Sequence, residues 1–370
     1  MFSDFHGNVE VVTRLRQMLG RGRLPHGLVL AGPEGAGKYT LAQMLTKAMN
    51  CLGPPRNDPP VSRDGLPDFC GRCANCVRIA QADDLRARFE EAVEAREALR
   101  DADKRETRIF VQTHPDVTII PPDPPQMMIK VDQVRRVIAS IYLRPAEARE
   151  RVYIFTGSAF MKEAANALLK VLEEPPGYAT LFLLAENAGA LLPTIRSRCV
   201  TFTLTPLPVA ELEKYLEKSR PELNARQRAL VARLAGGAVG RARTFDLAAY
   251  IAARLDALTL LAAAAGDADH SALFQVTERY RAGAEGKEKT DQLVRTTYSL
   301  LQDVMMLKSG APDLVRNHDA VPQLRAISER VDFDWLARAA QRLGELEAGM
   351  RRNLLRSLSL DAWAVGAGER

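Results

Sequence analysis

Over its first 205 residues the chain alternates short apolar runs with stretches in which apolar and polar residues mix at helical spacing. Such runs are typical of buried strands, and strands are predicted at 28–31, 117–120, 152–155, 181–184 and 200–204. Helices are predicted between them over 131–141 and from about 164 to 174, where apolar residues line one face. Strands that alternate with helices indicate a parallel sheet covered on both faces, so the fold class is α/β.

The pattern changes after residue 205, beyond which no strand is predicted. We expect a small helical domain over 206–246 and a second all-helical domain over 247–370, where Ala, Leu and Arg are frequent. The stretch 83–108 alternates acidic and basic side chains at helical spacing. It predicts a solvated helix or helical hairpin inserted into the first domain.

The composition is that of an ordinary soluble protein, with 46% hydrophobic and 26% charged residues. A net charge of +5 permits contact with nucleic acid but does not by itself argue for it. The sequence has no charged-then-apolar signal at its start and no continuous run of about 18 apolar residues. We therefore expect a cytoplasmic protein without a membrane partner.

A glycine-rich segment follows the strand predicted at 28–31 and precedes a helix, which is the setting of a phosphate-binding loop. Glycines let backbone N–H groups turn onto phosphate oxygens, and a lysine reaches the β- and γ-phosphates. Tyr39 stands where the magnesium-binding hydroxyl belongs, so binding of ATP or ADP remains open against a tight turn without ligand. The candidate nucleotide-binding residues here are Gly32, Gly35, Gly37, Lys38 and Thr40.

The strand at 152–155 ends in Thr156, Gly157 and Ser158. Hydrolysis of ATP needs a carboxylate there to hold magnesium and another to orient the attacking water. The sequence therefore predicts that this chain does not hydrolyse ATP by itself.

Four of the five cysteines fall between residues 51 and 76. Four thiolates suit tetrahedral Zn²⁺ in a closed structural site. An iron–sulfur cluster is the alternative, but its cysteine run would continue further along the chain, and free thiols are another. The predicted ligands are Cys51, Cys70, Cys73 and Cys76, whereas Cys199 is expected to be a small buried apolar side chain.

These segments together resemble one family, the delta-prime subunits of the bacterial DNA polymerase III clamp loader, which are AAA+ proteins. The most specific matches are the stretches 164–176 and 192–199, which end in Glu-Glu-Pro-Pro and Ser-Arg-Cys. The resemblance is strong over 1–205 and continues more weakly to the C-terminus. There Asn353, Leu358 and Leu360 resemble the last helix of the family's collar domain.

The resemblance gives the predicted domains their roles. It implies an AAA+ nucleotide-binding-like domain over 1–205 with a zinc module at 51–76, a helical lid over 206–246 and an oligomerising collar over 247–370. The inserted stretch 83–108 departs from the family's pattern.

The resemblance also implies a largely non-hydrolysing subunit that helps load the sliding clamp onto primed DNA. Its partners would be ATPase subunits of the gamma/tau type and a delta subunit in a heteropentameric ring. Through the complex it would meet the sliding clamp and primer-template DNA. The chain would be part of the DNA polymerase III holoenzyme in the bacterial replisome without a catalytic activity of its own.

Two arginines acquire roles by the same resemblance. Arg198 would be an arginine finger that reaches a neighbouring subunit's ATP, and a salt-bridging surface arginine is the alternative. Arg241 would be a lid-domain arginine that senses phosphate, or an ordinary arginine at the start of a helix.

Two further functions remain as alternatives. An ATP-hydrolysing motor of the gamma/tau type is disfavoured because the strand-end carboxylates are missing. A zinc-knuckle protein that binds nucleic acid is disfavoured because the chain lacks a dense basic run and has only 6% aromatic residues.

Overall fold

The computed structural model describes residues 1–53, 60–266, 270–281, 284–350 and 356–367. The chain divides into two compact units. The first comprises Met1–Pro208 and Gly237–Arg241, and the second comprises Val209–Gly236 and Ala242–Arg370.

Six strands form one sheet in the first unit. They are β1 Gly27–Ala31, β2 Val111–His114, β3 Val117–Ile120, β4 Arg151–Phe155, β5 Ala179–Ala185 and β6 Val200–Thr203. Their order across the sheet is β2-β3-β4-β5-β1-β6. The central strand β1 is parallel to both neighbours, and its Leu28 lies opposite Phe182 and Val200. The five strands predicted from apolar runs are confirmed.

The sheet departs from the prediction at one edge, because β2 was not predicted and runs antiparallel to β3. Its sequence, Val-Gln-Thr-His, offers no apolar run. An edge strand has one neighbour and part of its surface in solvent, so it does not need to be apolar throughout.

Helices cover both faces of the sheet, as the alternation of β1 shows. Leu28 and Leu30 belong to a core shared with the helices near the chain's start. Val29 and Ala31 belong to a second core, shared with the helices that flank β4 in sequence. The period of two along a strand explains this division, because successive side chains point to opposite faces. The helices of this unit are α1 Val9–Gly20, α2 Lys38–Asn50, α3 Ala74–Ala80, α4 Leu85–Glu97, α5 Asp101–Glu106, α6 Val131–Ile141, α7 Lys162–Glu173 and α8 Pro193–Arg196.

The helical structure predicted for 83–108 is confirmed as the two helices α4 and α5. Most of its side chains are exposed, but Arg96 is buried and pairs with the buried carboxylate of Asp123 at 3.2 Å. The same carboxylate accepts the Ile109 N–H at 3.1 Å. A buried charge needs such partners because water is not there to solvate it, so this pair fixes the insertion to the loop that follows β3.

Every regular element described beyond Pro208 is a helix. These are α9 Val209–Ser219, α10 Ala225–Leu234, α11 Val239–Arg243, α12 Leu247–Ala264, α13 Ser271–Thr277, α14 Ala284–Lys308, α15 Val321–Arg330, α16 Phe333–Met350 and α17 Arg356–Ala367, the first residues of α11 belonging to the first unit. The separation of these helices into a lid over 206–246 and a collar over 247–370 stays a prediction.

A buried polar network holds part of the second unit. Asp303 is fully buried and accepts the backbone N–H groups of Arg316 and Asn317 at 2.8 and 2.9 Å. The amide oxygen of Asn317 in turn accepts from Tyr250 Oη and Arg254. Because the carboxylate of Asp303 finds partners and the amide of Asn317 bonds to both helices, this network can fix the packing of α12 against α14.

One described helix, Leu247–Ala264, is long and apolar enough to cross a membrane by length and composition alone. Half of that helix is buried inside the protein. A core helix passes the same test, so the criterion is weak support for a membrane span.

Candidate functional site

The glycine-rich segment forms a loop between β1 and α2, as predicted. Gly32, Gly35 and Gly37 have φ angles of 153°, 77° and 90°, which favour glycine. At Gly32, a Cβ atom would also lie only 2.6 Å from the Leu204 carbonyl oxygen. The loop therefore has the turn geometry that brings its backbone to the start of a helix.

Lys38, the first residue of α2, closes over this loop. Its Nζ donates to the carbonyl oxygens of Gly32 at 2.5 Å and Pro33 at 2.9 Å. Two of the three ammonium hydrogens are thereby used, which leaves one for a ligand. Burial lowers the pKa of Lys38, while the negative charges of Glu186 and Glu34 act in the opposite direction.

Glu186 is a residue that the sequence interpretation missed. It follows β5 directly, and β5 lies beside β1 in the sheet. The sequence contains a signal for it, because Glu186 is a carboxylate directly after a buried apolar strand. This is the same pattern that ATP hydrolysis requires after β4. Glu186 places a negative charge near the loop's lysine, which opposes a phosphate in the absence of a cation.

The Tyr39 hydroxyl is bound to other protein groups and does not serve as a magnesium ligand. Its hydroxyl donates to the Ala82 carbonyl oxygen at 2.5 Å and accepts from Gln43 Nε2 at 2.6 Å. Burial raises the pKa of this phenol. Thr40, one residue later, is exposed. The nucleotide-binding role of the loop and of Thr40 stays a prediction.

The segment Gly237–Arg241 contacts the same loop within the first unit. The Gly240 N–H donates to the Gly35 carbonyl oxygen at 3.0 Å. A Cβ atom on Gly35 would lie 3.0 Å from the backbone nitrogen of Arg241. The structure thus brings the Arg241 backbone to the phosphate loop, and its phosphate-sensing role stays a prediction.

Gly157, the second residue after β4, lies too close to Pro122 to carry a carboxylate side chain without a rearrangement. A Cβ atom on Gly157 would lie 2.5 Å from Pro122 Cγ, whereas carbon atoms in contact prefer about 3.5–4.0 Å. A side chain at Gly157 therefore requires the Pro122 loop to move. The backbone N–H of Thr156, just before it, donates a hydrogen bond to the Ile120 carbonyl oxygen.

Arg198 lies between α8 and β6 with about one third of its side chain exposed, 32%. Its Nε donates to Glu173 Oε1 at 2.7 Å, and Glu173 also pairs with the Nη2 of the same guanidinium. Its Nη1 donates to the Thr194 carbonyl oxygen at 2.9 Å and to Ser197 Oγ at 3.3 Å. All three guanidinium nitrogens thus contact groups of the same chain, and the finger role stays a prediction.

The four predicted cysteines come together. Their sulfur atoms all lie within 4.8 Å of one another, and none of them forms a disulfide. Backbone N–H groups of Cys70, Cys73 and Cys76 donate to the sulfurs of Cys51, Cys70 and Cys73 at 3.3, 3.3 and 3.5 Å. Such bonds stabilise thiolates, the form that binds a metal. The donor set therefore fits a metal ion held by four sulfurs.

The thiols of this cluster differ in acidity. Burial raises the pKa of Cys51 and Cys76. At Cys70 burial acts in the same direction, but donated N–H groups of Arg72 and Cys73 outweigh it and bring the pKa to about 7. The hydrogen bonds donated to the Cys70 sulfur thus favour its thiolate, the form that binds a metal.

The remainder of the cysteine module is partly described. Arg16 of α1 donates from Nε to the Pro67 carbonyl oxygen at 2.9 Å and pairs with Asp64 at 2.6 Å. The Arg16 guanidinium lowers the pKa of Asp64 to about 2. Residues 54–59 of the predicted module 51–76 lie outside the described residues.

Cys199 lies outside this sulfur cluster. It is partly buried, and its sulfur lies 3.1 Å from the position that a Cβ atom on Gly27 would take. Burial raises its pKa to about 11, so the neutral thiol packs at the edge of the core.

Comparison with known proteins decides the family. The model of the family described as "DNA polymerase III, delta subunit" matches residues 7–208, more than half of the chain. The chain belongs to this family. Membership confirms the predicted relation to the clamp-loader subunits of DNA polymerase III. The six-stranded sheet with helices on both faces confirms the α/β class.

Curated relatives include both subunit types. The delta-prime subunit of Pseudomonas aeruginosa is 31% identical over 225 residues, which cover 60% of this chain and 56% of that protein. The tau subunit of Salmonella typhimurium is 29% identical over 217 residues, 58% of this chain and 27% of that protein. The matches thus span little more than half, or about a quarter, of the relatives' lengths, and these identities do not separate delta-prime from gamma/tau.

Among solved structures, a gamma subunit-related protein of Thermotoga maritima covers 97% of this chain and 99% of its own, with 18% identity and a TM-score of 0.34. In the predicted collar match, Leu358 and Leu360 lie in α17, and Asn353 lies outside the described residues.

Proposed function

We propose that the chain is a delta-prime-type clamp-loader subunit that helps load the sliding clamp onto primed DNA without hydrolysing ATP itself. The observation that carries the proposal is the end of β4, where no carboxylate follows the strand and Pro122 blocks a side chain at Gly157. A gamma/tau-type motor needs carboxylates there. Tyr39, whose phenol is bound to Ala82 instead of facing a metal, supports the same conclusion.

In this proposal Arg198 completes the ATP site of a neighbouring subunit. Its present partner Glu173 is about half exposed, and exposed ion pairs contribute only about 0–1 kcal/mol. An arginine finger that acts in trans accelerates phosphoryl transfer by about 10³–10⁵. The pair with Glu173 is therefore weak enough to be exchanged for a phosphate.

The partners follow from this role. They are gamma/tau-type ATPase subunits and a delta subunit in a heteropentameric ring, with the sliding clamp and primer-template DNA reached through the complex. The place of action is the bacterial replisome in the cytoplasm. The four-cysteine site would hold Zn²⁺ in a structural role, since four sulfur ligands leave no position for a reacting water.

Reconstitution of the complex tests the finger. Arg198→Ala is expected to assemble with gamma/tau-type and delta subunits as the wild type does, but to lose part of the ATPase activity that DNA and clamp stimulate. Arg196→Ala is the matched control, because Arg196 is an exposed arginine of the same segment. Equal stimulation in both variants would show that Arg198 is not the finger.

The isolated chain tests the absence of hydrolysis. It is expected to show no ATP turnover above background. Robust turnover that Lys38→Ala abolishes would establish the motor function instead.

A further inference from the structure

One helix joins the phosphate loop to the cysteine cluster. Helix α2 begins at Lys38, beside the loop, and ends at Asn50, directly before Cys51. Its residues from Leu41 to Asn50 are all buried. A displacement at one end of such a helix is therefore transmitted to the other, because packed interiors resist local compression.

A second connection runs along the side of α2. Tyr39, Gln43 and Lys47 follow one another at intervals of four residues, so they lie on one face of the helix. Two residues shortly after α3 meet this face. The Ala82 carbonyl oxygen accepts the Tyr39 hydroxyl at 2.5 Å, and the Asp83 carboxylate accepts Lys47 Nζ at 2.6 and 2.8 Å.

The C-terminal end of α2 is tied in the same way. Asn75 Nδ2, in α3, donates to the Asn50 carbonyl oxygen at 3.0 Å. Asn50 Oδ1 accepts the backbone N–H groups of Arg149 and Glu150, just before β4, at 3.1 and 2.9 Å. Asn50 is fully buried. Helix α3 and the two residues shortly after it thus contact α2 near both of its ends.

The position of these contacts depends on α3. This helix has seven residues, starts after Cys73 and contains Cys76. A helix of two turns is marginal by itself in water. A metal ion bound to Cys70, Cys73 and Cys76 together with Cys51 would fix α3 against the end of α2, and with it the acceptors at Ala82 and Asp83.

We propose that Tyr39 is a positioning residue that couples the metal centre to the phosphate loop. Metal held by the four cysteines orders the first turns of α2 through the bond from Tyr39 to Ala82. Tyr39 stands where a phosphate loop has its magnesium-binding hydroxyl, and here it links α2 to Ala82 instead. This inference rests on the metal site of the proposed function and does not depend on the clamp-loading role.

Hydrogen exchange of the full chain measures the coupling directly. The amides of residues 41–45 report on the first turns of α2, and Leu41 N–H is bonded to the Gly37 carbonyl oxygen at 2.8 Å. Loss of one side-chain hydrogen bond of this kind corresponds to about a three- to tenfold change in an opening equilibrium. In the wild type, removal of zinc with a chelator is expected to speed exchange at these amides by that factor.

Tyr39→Phe keeps the ring and removes only the hydroxyl. In this variant the amides are expected to exchange faster than in the wild type even with zinc bound, so the chelator speeds their exchange by a smaller factor. Because coupling is reciprocal, its affinity for zinc should fall by the same factor, measured by competition with a chromophoric chelator. Tyr178→Phe is the matched control, because its hydroxyl donates to Tyr142 in another part of the unit.

The outcomes separate the claims. A chain that binds stoichiometric zinc but shows the same exchange ratio and zinc affinity in Tyr39→Phe overturns the coupling and leaves the zinc site intact. Metal analysis that finds no bound zinc overturns both the zinc assignment and the coupling. Neither result bears on the Arg198 experiment.

Discussion

The close approach of Pro122 to Gly157 gives a prediction that can be worked out from the structure. In Gly157→Ala the added Cβ atom would lie 2.5 Å from Pro122 Cγ, about 1 Å closer than carbon atoms in contact prefer. A proline ring can change its pucker but cannot rotate away about a side-chain bond, so the Pro122 backbone must supply the rest of the shift. Overpacking of this kind typically costs about 1–3 kcal/mol.

The assay is thermal unfolding of the full chain, followed by a signal from the first unit. A loss of about 1–3 kcal/mol corresponds to a fall of about 2–12 °C in the midpoint for a unit of this size. Gly177→Ala is the matched control, because a Cβ atom there meets nothing within 4 Å. We expect that control to unfold at or slightly above the wild-type midpoint.

A second substitution at Gly157 tests whether a carboxylate there would restore ATP hydrolysis. Gly157→Glu supplies a carboxylate at this position, but the expected result is a destabilised chain without ATP turnover. Equal midpoints for Gly157→Ala and Gly177→Ala would refute the argument that Pro122 excludes a side chain there. The lack of a carboxylate after β4 would then be a feature of the sequence without a steric cause in the fold.

Two further predictions concern buried ionisable side chains in the first unit. Burial lowers the pKa of His114. The charges of Asp116 and Glu147 raise this pKa, and the charge of Arg78 lowers it. The His114 Nδ1 atom accepts the Asp116 N–H at 3.1 Å. Protonation is therefore easier in the unfolded chain, so stability is complete above about pH 6.5 and falls as the pH drops towards the folded-state pKa. Unfolding midpoints compared at neutral and mildly acidic pH should differ less in His114→Gln than in the wild type, and an equal difference would contradict this. Asp123→Asn should destabilise the chain, by at most about 3–5 kcal/mol, because the buried guanidinium of Arg96 loses its buried charged partner and keeps only the exposed Glu97 at 3.5 Å. A urea-unfolding midpoint unchanged from the wild type would show that the pair is dispensable.

The strands and the main helices of the first unit could be predicted because their signals are local. A strand buried on both faces must be apolar along its length, and β1 and β5 meet that condition. The edge strand β2 could not be found in this way, since its pairing with β3 and not its composition makes it a strand. The charged insertion was predicted as helical, but its attachment through Arg96 was not.

The candidate site was predictable to the same extent. Glycines, Lys38 and the cysteine spacing mark a phosphate loop and a four-sulfur cluster because turn geometry and metal coordination impose short, fixed spacings. Glu186 was missed, although it directly follows a buried strand, because only the sheet order shows that this strand lies next to the loop.

The sequence by itself determined the family, the α/β class of the first unit, the glycine loop, the missing carboxylates after β4 and the set of four cysteines. Each of these is written in residues close together along the chain. The tertiary structure alone decided that Tyr39 bonds to Ala82, that Arg198 pairs with Glu173 and that Pro122 closes the space at Gly157. These partners lie 25 to 43 residues apart in sequence and meet only in the folded unit, so no local pattern could name them.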